Sequence, residues 1–176
     1  MTPAYLAQPT CLMSNSSDKI AVIGIGNPLR KDDGIGIVVL DRLRAHHVKT
    51  RCSASLQNRY DYFDFGTSAI DLANKLSGYK KALLIDGVNA GLEPGELKIF
   101  DLKEVEAQNI KGNLSSTHQI DLGQLLALAK TLKLKTDIYI AGIQVKDSSF
   151  GSGLSASLTQ NMGVYVSGIF EFLYSL

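Results

Sequence analysis

The feature that most constrains the fold is the run from Lys19 to Gly36, where the apolar stretch KIAVIG breaks into a glycine-lined loop and resumes at helical spacing. A continuous apolar run that ends in glycine is the pattern of a strand buried on both faces of a parallel sheet. Ile35, Val38, Val39 and Leu43 then recur on one helical face, with Asp41, Arg42 and Arg44 on the other. The result is a strand, loop and helix unit. Within it, the glycines of GIGNPLRKDDGIG admit close backbone approaches and Pro28 stiffens the turn, so the adjacent acids Asp32 and Asp33 are presented at a sheet edge.

The same alternation continues downstream. A second strand is expected between Arg51 and Gln57, followed by the aromatic, acidic stretch RYDYFDFG. SAIDLANKL from Ser68 reads as a capped helix closed by Gly78, with Ile70, Ala73 and Leu76 on one face. Ala82 to Ile85 reads as a buried strand ending in Asp86-Gly87, and Glu96 to Phe100 alternates as an edge strand would. SSTHQIDLGQLLALAKTL offers caps at Ser116 and Thr117 for a helix that turns Leu122, Leu125, Ala129 and Leu132 inward. Ile138 to Val145 is a further strand, and roughly the last 20 residues form a closing helix. Strands alternating with helices predict a three-layer α/β/α sandwich around a mainly parallel twisted sheet, of phosphorylase/hydrolase-like type. At 176 residues the chain fits one domain, 19–176, behind a polar, Ser-rich tail, 1–18, read as disordered and lacking the apolar core of a secretory signal.

Composition narrows the function classes. A net charge of +1 without a long basic run lacks the electrostatic footprint of a nucleic-acid binder. No apolar run approaches the roughly 20 residues that span a bilayer, so no membrane insertion is expected. Cys11 and Cys52 form no CxxC pair, and their number suits a reducing, cytoplasmic compartment. Pro28 and Leu29 break the dinucleotide-binding fingerprint, so no organic cofactor is expected. Phosphate-loop, HExxH and GxSxG motifs are also missing.

Ligands of open α/β sheets bind beyond the carboxyl ends of the strands, and polar residues fall at several of these ends. Asp32 and Asp33 follow the first strand, Asp64 follows the aromatic stretch, Asp86 ends the third strand, and His118 opens a helix. Two carboxylates and an imidazole suit a divalent cation with open coordination positions, nickel or zinc more than magnesium. Carboxylates about 4 Å apart repel by roughly 4 kcal/mol at an effective dielectric of about 20, which a bound cation relieves. Each residue also has a structural explanation. Asp64 suits a helix cap, Asp86-Gly87 a turn, Asp32 a loop or capping position, and His118 a satisfied helix-start histidine. His46 and His47 are expected to face solvent, and Tyr60, Tyr62, Phe63 and Phe65 to pack in a core or interface.

From Lys19 onward the chain resembles the hydrogenase maturation endopeptidases. GIGNPLRKDDGIG is similar to that family's opening strand and loop, in which Asp33 stands where many members carry Glu. Asp64-Phe65-Gly66-Thr67 is similar to its acid, glycine and threonine element, and Ser115-Ser116-Thr117-His118 to its histidine element. The resemblance implies a protease that removes a C-terminal extension from the large-subunit precursor of a nickel-iron hydrogenase after nickel insertion. It also implies that Asp33, Asp64 and His118 form the catalytic and metal-ligating set, and that their metal is nickel carried by the substrate. Two other readings of the chain are a peptidyl-tRNA hydrolase-like enzyme, suggested by the NP loop, and a nickel-checking chaperone that binds without cutting.

Overall fold

The computed structural model describes residues 19–49, 59–66, 69–107, 115–116 and 122–176. Strand β1 (Ile20–Gly24) leads through a 3-10 turn (Lys31–Gly34) into helix α1 (Ile35–Lys49). Then come β2 (Tyr60–Asp64), α2 (Ala69–Leu76), β3 (Lys81–Asn89), β4 (Leu97–Asp101), α3 (Leu102–Ala107) and the two-residue β5 (Ser115–Ser116). Helix α4 (Leu122–Thr131), strand β6 (Asp137–Gln144) and helices α5 (Ala156–Gln160) and α6 (Met162–Ser175) complete the described chain.

The sheet order is β2-β1-β3-β6-β4, with β5 attached to the end of β3. Its first four strands are parallel and β4 runs antiparallel at the edge. β1 lies at the centre of the burial pattern: Ile20 and Val22 enter one core cluster, Ala21 and Ile23 the other. This two-sided burial is why the sequence shows an unbroken apolar run instead of alternation. Truncating a residue such as Ile23, 0% exposed, would cost about 2 to 5 kcal/mol.

Helices α1 and α6 pack on each other and cover one face, through Val39, Leu40, Leu43, Tyr165, Ile169 and Leu173. Leu72 and Leu76 of α2 and Leu102 and Val105 of α3 cover the other. The placement follows from handedness. The chain steps one way from β1 to β2 and back past β1 to β3, so right-handed crossovers put α1 and α2 on opposite faces. The strand order reverses between β1 and β3, and the carboxyl ends of the strands at such a point are where ligands of open α/β sheets bind.

The three-layer α/β/α fold is as expected, with several boundaries corrected. The aromatic stretch is itself β2, and the proposed 51–57 strand lies outside the described residues. Tyr60 is in the core, which sets the strand's inward face. Asp86-Gly87 is not a turn: β3 continues through both to Asn89 because β6 pairs with it as far as Val88. Ser116 is not a helix cap but part of β5, and Leu132 is 47% exposed in the turn after α4. His47 is buried, its Nδ1 3.2 Å from the Tyr62 hydroxyl and its ring edge-on to Tyr60. The solvent-facing expectation for His47 fails because α1 lies across β2 there. The 1–18 tail and the caps Ser68 and Thr117 lie outside the described residues.

Candidate active site at the carboxyl edge

The loop after β1 is fixed from three directions. Ile25 donates its N–H to the carbonyl of Ile85 on β3, at 2.9 Å. Gly26 donates to the carbonyl of Gly66, in the turn after β2, at 3.1 Å. Asn27 donates to the carbonyl of Asp33 at 3.3 Å, so the loop folds back on itself. Helix α1 can start so close to the sheet only because residue 36 is glycine: a Cβ there would lie 2.2 Å from the carbonyl oxygens of both Ile25 and Ile85. A Cβ at Gly26 would lie 2.5 Å from the Asp33 carbonyl oxygen.

Asp33 emerges from this packing in the 3-10 turn at the amino end of α1, where the helix dipole favours negative charge. It is fully buried, and Arg30 Nε lies 4.0 Å from its Oδ2. Asp64 ends β2 opposite Gly24 of β1 and is exposed. Its Oδ1 accepts the Gly66 N–H at 3.1 Å, and Gly66 in turn is the residue that accepts from Gly26. A short relay of backbone contacts thus joins the two acid-bearing loops. Asp86, also buried, lies on β3 directly after Ile85, whose carbonyl anchors the first loop. His118 lies outside the described residues. β5 ends two residues before it and pairs with Val88 and Asn89, at the carboxyl end of β3.

Asp32 has a different task from its neighbour. Its Oδ2 accepts the N–H groups of Lys146 and Asp147 at 3.0 and 2.9 Å, and its Oδ1 accepts the N–H of Ser155 at 2.6 Å. Three such bonds to one buried carboxylate are charge-assisted and hold the segment after β6 onto the loop after β1. The loop or capping expectation for Asp32 is borne out in this form. More contacts lace the same two segments: Lys31 N–H to Gly151 O at 3.0 Å, Gly151 N–H to Leu29 O at 3.0 Å, and Arg30 Nε to Ser148 O at 3.1 Å. Lys31 adopts φ 41°, unfavourable for a side chain with a Cβ, and its ammonium reaches Asp147 Oδ2 at 2.6 Å. That ammonium, with help from Ser149, holds the Asp147 carboxyl well below the ordinary range.

Sequence reasoning missed the 146–155 segment as part of this edge. The signal was KDSSFGSG, a glycine- and serine-rich stretch after a buried strand that carries a single phenylalanine. Gln144 was missed as well. It is buried, and its Oε1 accepts the N–H groups of Ala90 and Leu92 at 2.8 and 3.2 Å, which fixes the chain as it leaves β3.

Among the described residues no three His, Cys, Asp or Glu side chains cluster as a metal site. No helix among them is long and apolar enough to cross a membrane. What the edge offers is two carboxylates on adjacent, hydrogen-bonded loops, one buried on a rigid support and one exposed.

Comparison with known proteins agrees with this architecture. Residues 46–170 match the family model described as HycI, hydrogenase maturation protease. The hydrogenase expression/formation protein HupD of Thiocapsa roseopersicina is 28% identical over 160 residues, which cover 90% of this chain and 69% of that protein. The chain spans about two thirds of the length of the curated relatives it matches. The hydrogenase maturating endopeptidase HybD from E. coli superposes with a TM-score of 0.70 at 20% identity, covering 89% of this chain and 93% of that one, which shows the shared fold. The [NiFe] hydrogenase maturation protease HybD from Thermococcus kodakarensis gives a TM-score of 0.66 at 26% identity, covering 88% and 98%. With most of its length matched by the family model and its sheet and helices shared with these enzymes, the chain belongs to the hydrogenase maturation protease family.

Proposed function

We propose that this protein is an endopeptidase that removes the C-terminal extension of a nickel-iron hydrogenase large-subunit precursor once nickel has been inserted. Asp33, Asp64 and His118 are the residues that meet the nickel carried by the precursor. The observation that carries the reading is the Gly26-to-Gly66 hydrogen bond, which couples the loop bearing Asp33 to the turn bearing Asp64. The pairing of β5 with the carboxyl end of β3 supports a place for His118 at the same edge.

Two carboxylates and an imidazole leave coordination positions open, so the set holds a metal best when the substrate supplies further ligands. Cleavage then depends on correct loading. On this reading the substrate's nickel is the anchor by which a loaded precursor is recognised and the Lewis acid available at the scissile bond, and Asp33 or Asp64 is the alternative candidate for the base that accepts the proton of the attacking water. A cytoplasmic setting belongs to the same proposal, supported by the two cysteines without a CxxC pair.

The test is to incubate the protein with nickel-loaded and nickel-free precursor and to weigh the products by mass spectrometry. Shortening of the loaded precursor alone is the expected result. Equal processing of both overturns nickel-dependent recognition, and stable binding of loaded precursor without shortening identifies a nickel-checking chaperone instead.

A further inference from the structure

Leu29 and Phe150 are 71% and 78% exposed, more than any other large hydrophobic side chain among the described residues. They sit on the two segments that Asp32 holds together, and the Gly151-to-Leu29 hydrogen bond joins their backbones directly. The backbone here is tied down: Leu29 N–H is fixed by Asn27 Oδ1 at 3.0 Å, and Arg30 lies over the Phe150 ring, 5.1 Å from its centroid. The same Arg30 approaches Asp33. An apolar lip on a rigid support is therefore continuous, through one side chain, with the buried carboxylate of the candidate site. Its exposed charge is cationic: Lys146 faces solvent and Arg30 is half-buried, while Lys31 is paired with Asp147.

We infer that Leu29 and Phe150 form the docking lip for the substrate, receiving apolar side chains of the precursor segment next to the scissile bond, with Arg30 and Lys146 facing acidic or carbonyl groups of that segment. The inference rests on the proposed endopeptidase reading and names the surface by which the partner is held. Exposed apolar groups on a hydrogen-bonded loop bind with a smaller ordering cost than groups on a mobile one, and exposed apolar patches mark interaction sites. Because both are exposed in the free protein, their loss should weaken substrate binding and leave folding intact.

The experiment compares the parent with Leu29→Ser/Phe150→Ser in the full chain, using nickel-loaded precursor. We expect KM to rise by about tenfold or more with kcat and the melting temperature near parental values. Leu29→Met/Phe150→Leu should recover KM. Leu132→Ser, an equally apolar change in the turn before β6 at the opposite edge of the sheet, should not alter it. An unchanged KM in the double serine variant overturns the lip and leaves the endopeptidase reading standing. If the parent binds loaded precursor by calorimetry without cutting it, that reading fails, and the lip is then judged by Kd: a weaker Kd in the double variant supports it and an equal Kd overturns it. A parent that neither binds nor cuts overturns both.

Discussion

The two acids presented at the carboxyl edge are supported in opposite ways. Asp33 is fully buried on a loop that β3, the turn after β2 and the 146–155 segment all hold in place. Asp64 is exposed at the end of its strand, and among the described residues its side chain bonds locally, to the N–H of Gly66. On the proposed reading, the rigidly held acid is the fixed point of the site, and the acid near solvent is the one free to move toward the precursor's nickel, since its bond to the Gly66 N–H is worth only about 1 kcal/mol. The contrast is a division between a fixed reference point and an adaptable arm, and substitutions that act on one side but not the other can break it.

The largest effect on stability is expected at Gly36. A Cβ placed 2.2 Å from two backbone carbonyls cannot be accommodated by a side-chain rotation, so α1 must lift from the sheet. Overpacking of this kind should cost more than about 3 kcal/mol, against about 1 kcal/mol recovered from the helix preference of alanine. Chemical denaturation of Gly36→Ala, followed by circular dichroism, measures the difference. A variant as stable as the parent would show that the first loop is not tightly held, and the contrast with Asp64 would disappear.

A smaller loss is expected from Asp32→Asn. The amide oxygen can still accept from Lys146 and Asp147, but the amide nitrogen then faces the Ser155 N–H, which the carboxylate receives at 2.6 Å. Replacing a charge-assisted bond by two opposed donors should cost about 1.5 to 3 kcal/mol. For a chain of this size the melting temperature should fall by roughly 3 to 12 °C, measured by calorimetry. Hydrogen exchange should rise in 146–155 while Asp64's turn is unaffected. Equal loosening of both regions would mean that Asp32 supports the whole edge and not one side of it.

Much of this arrangement is legible in the sequence because it follows from short-range patterns. The apolar run before Gly24 identifies β1, and the crowding of glycines around two acids marks the loop that must lie close to the sheet. Which segment Asp32 holds is not legible, because its partners lie more than 100 residues downstream. For the same reason Phe150 gives no sign of facing Arg30. The aromatic stretch does not read as a strand because its edge position leaves Asp61, Tyr62 and Phe63 only half-buried, so it lacks the continuous apolar character that reveals β1 and β3. Asp86-Gly87 resembles a turn in isolation and is drawn into a strand by β6, a tertiary choice that local propensity does not contain.

Asp64→Asn gives the smallest expected change in stability and separates the two acids most cleanly. Among the described residues this side chain accepts the Gly66 N–H at 3.1 Å, and an asparagine oxygen accepts equally well. The residue is exposed, so no desolvation cost is altered, and stability should stay within about 0.5 kcal/mol of the parent. A ligand role requires more than an acceptor. Loss of the negative charge weakens attraction to a divalent cation, and an amide oxygen is a poorer donor than a carboxylate. Asp64→Asn should therefore melt with the parent yet process nickel-loaded precursor far more slowly, in a timed gel or mass-spectrometric assay. Processing at the parental rate would return Asp64 to a purely local turn-forming role, and the adaptable arm of the site would have to be sought elsewhere along the carboxyl edge.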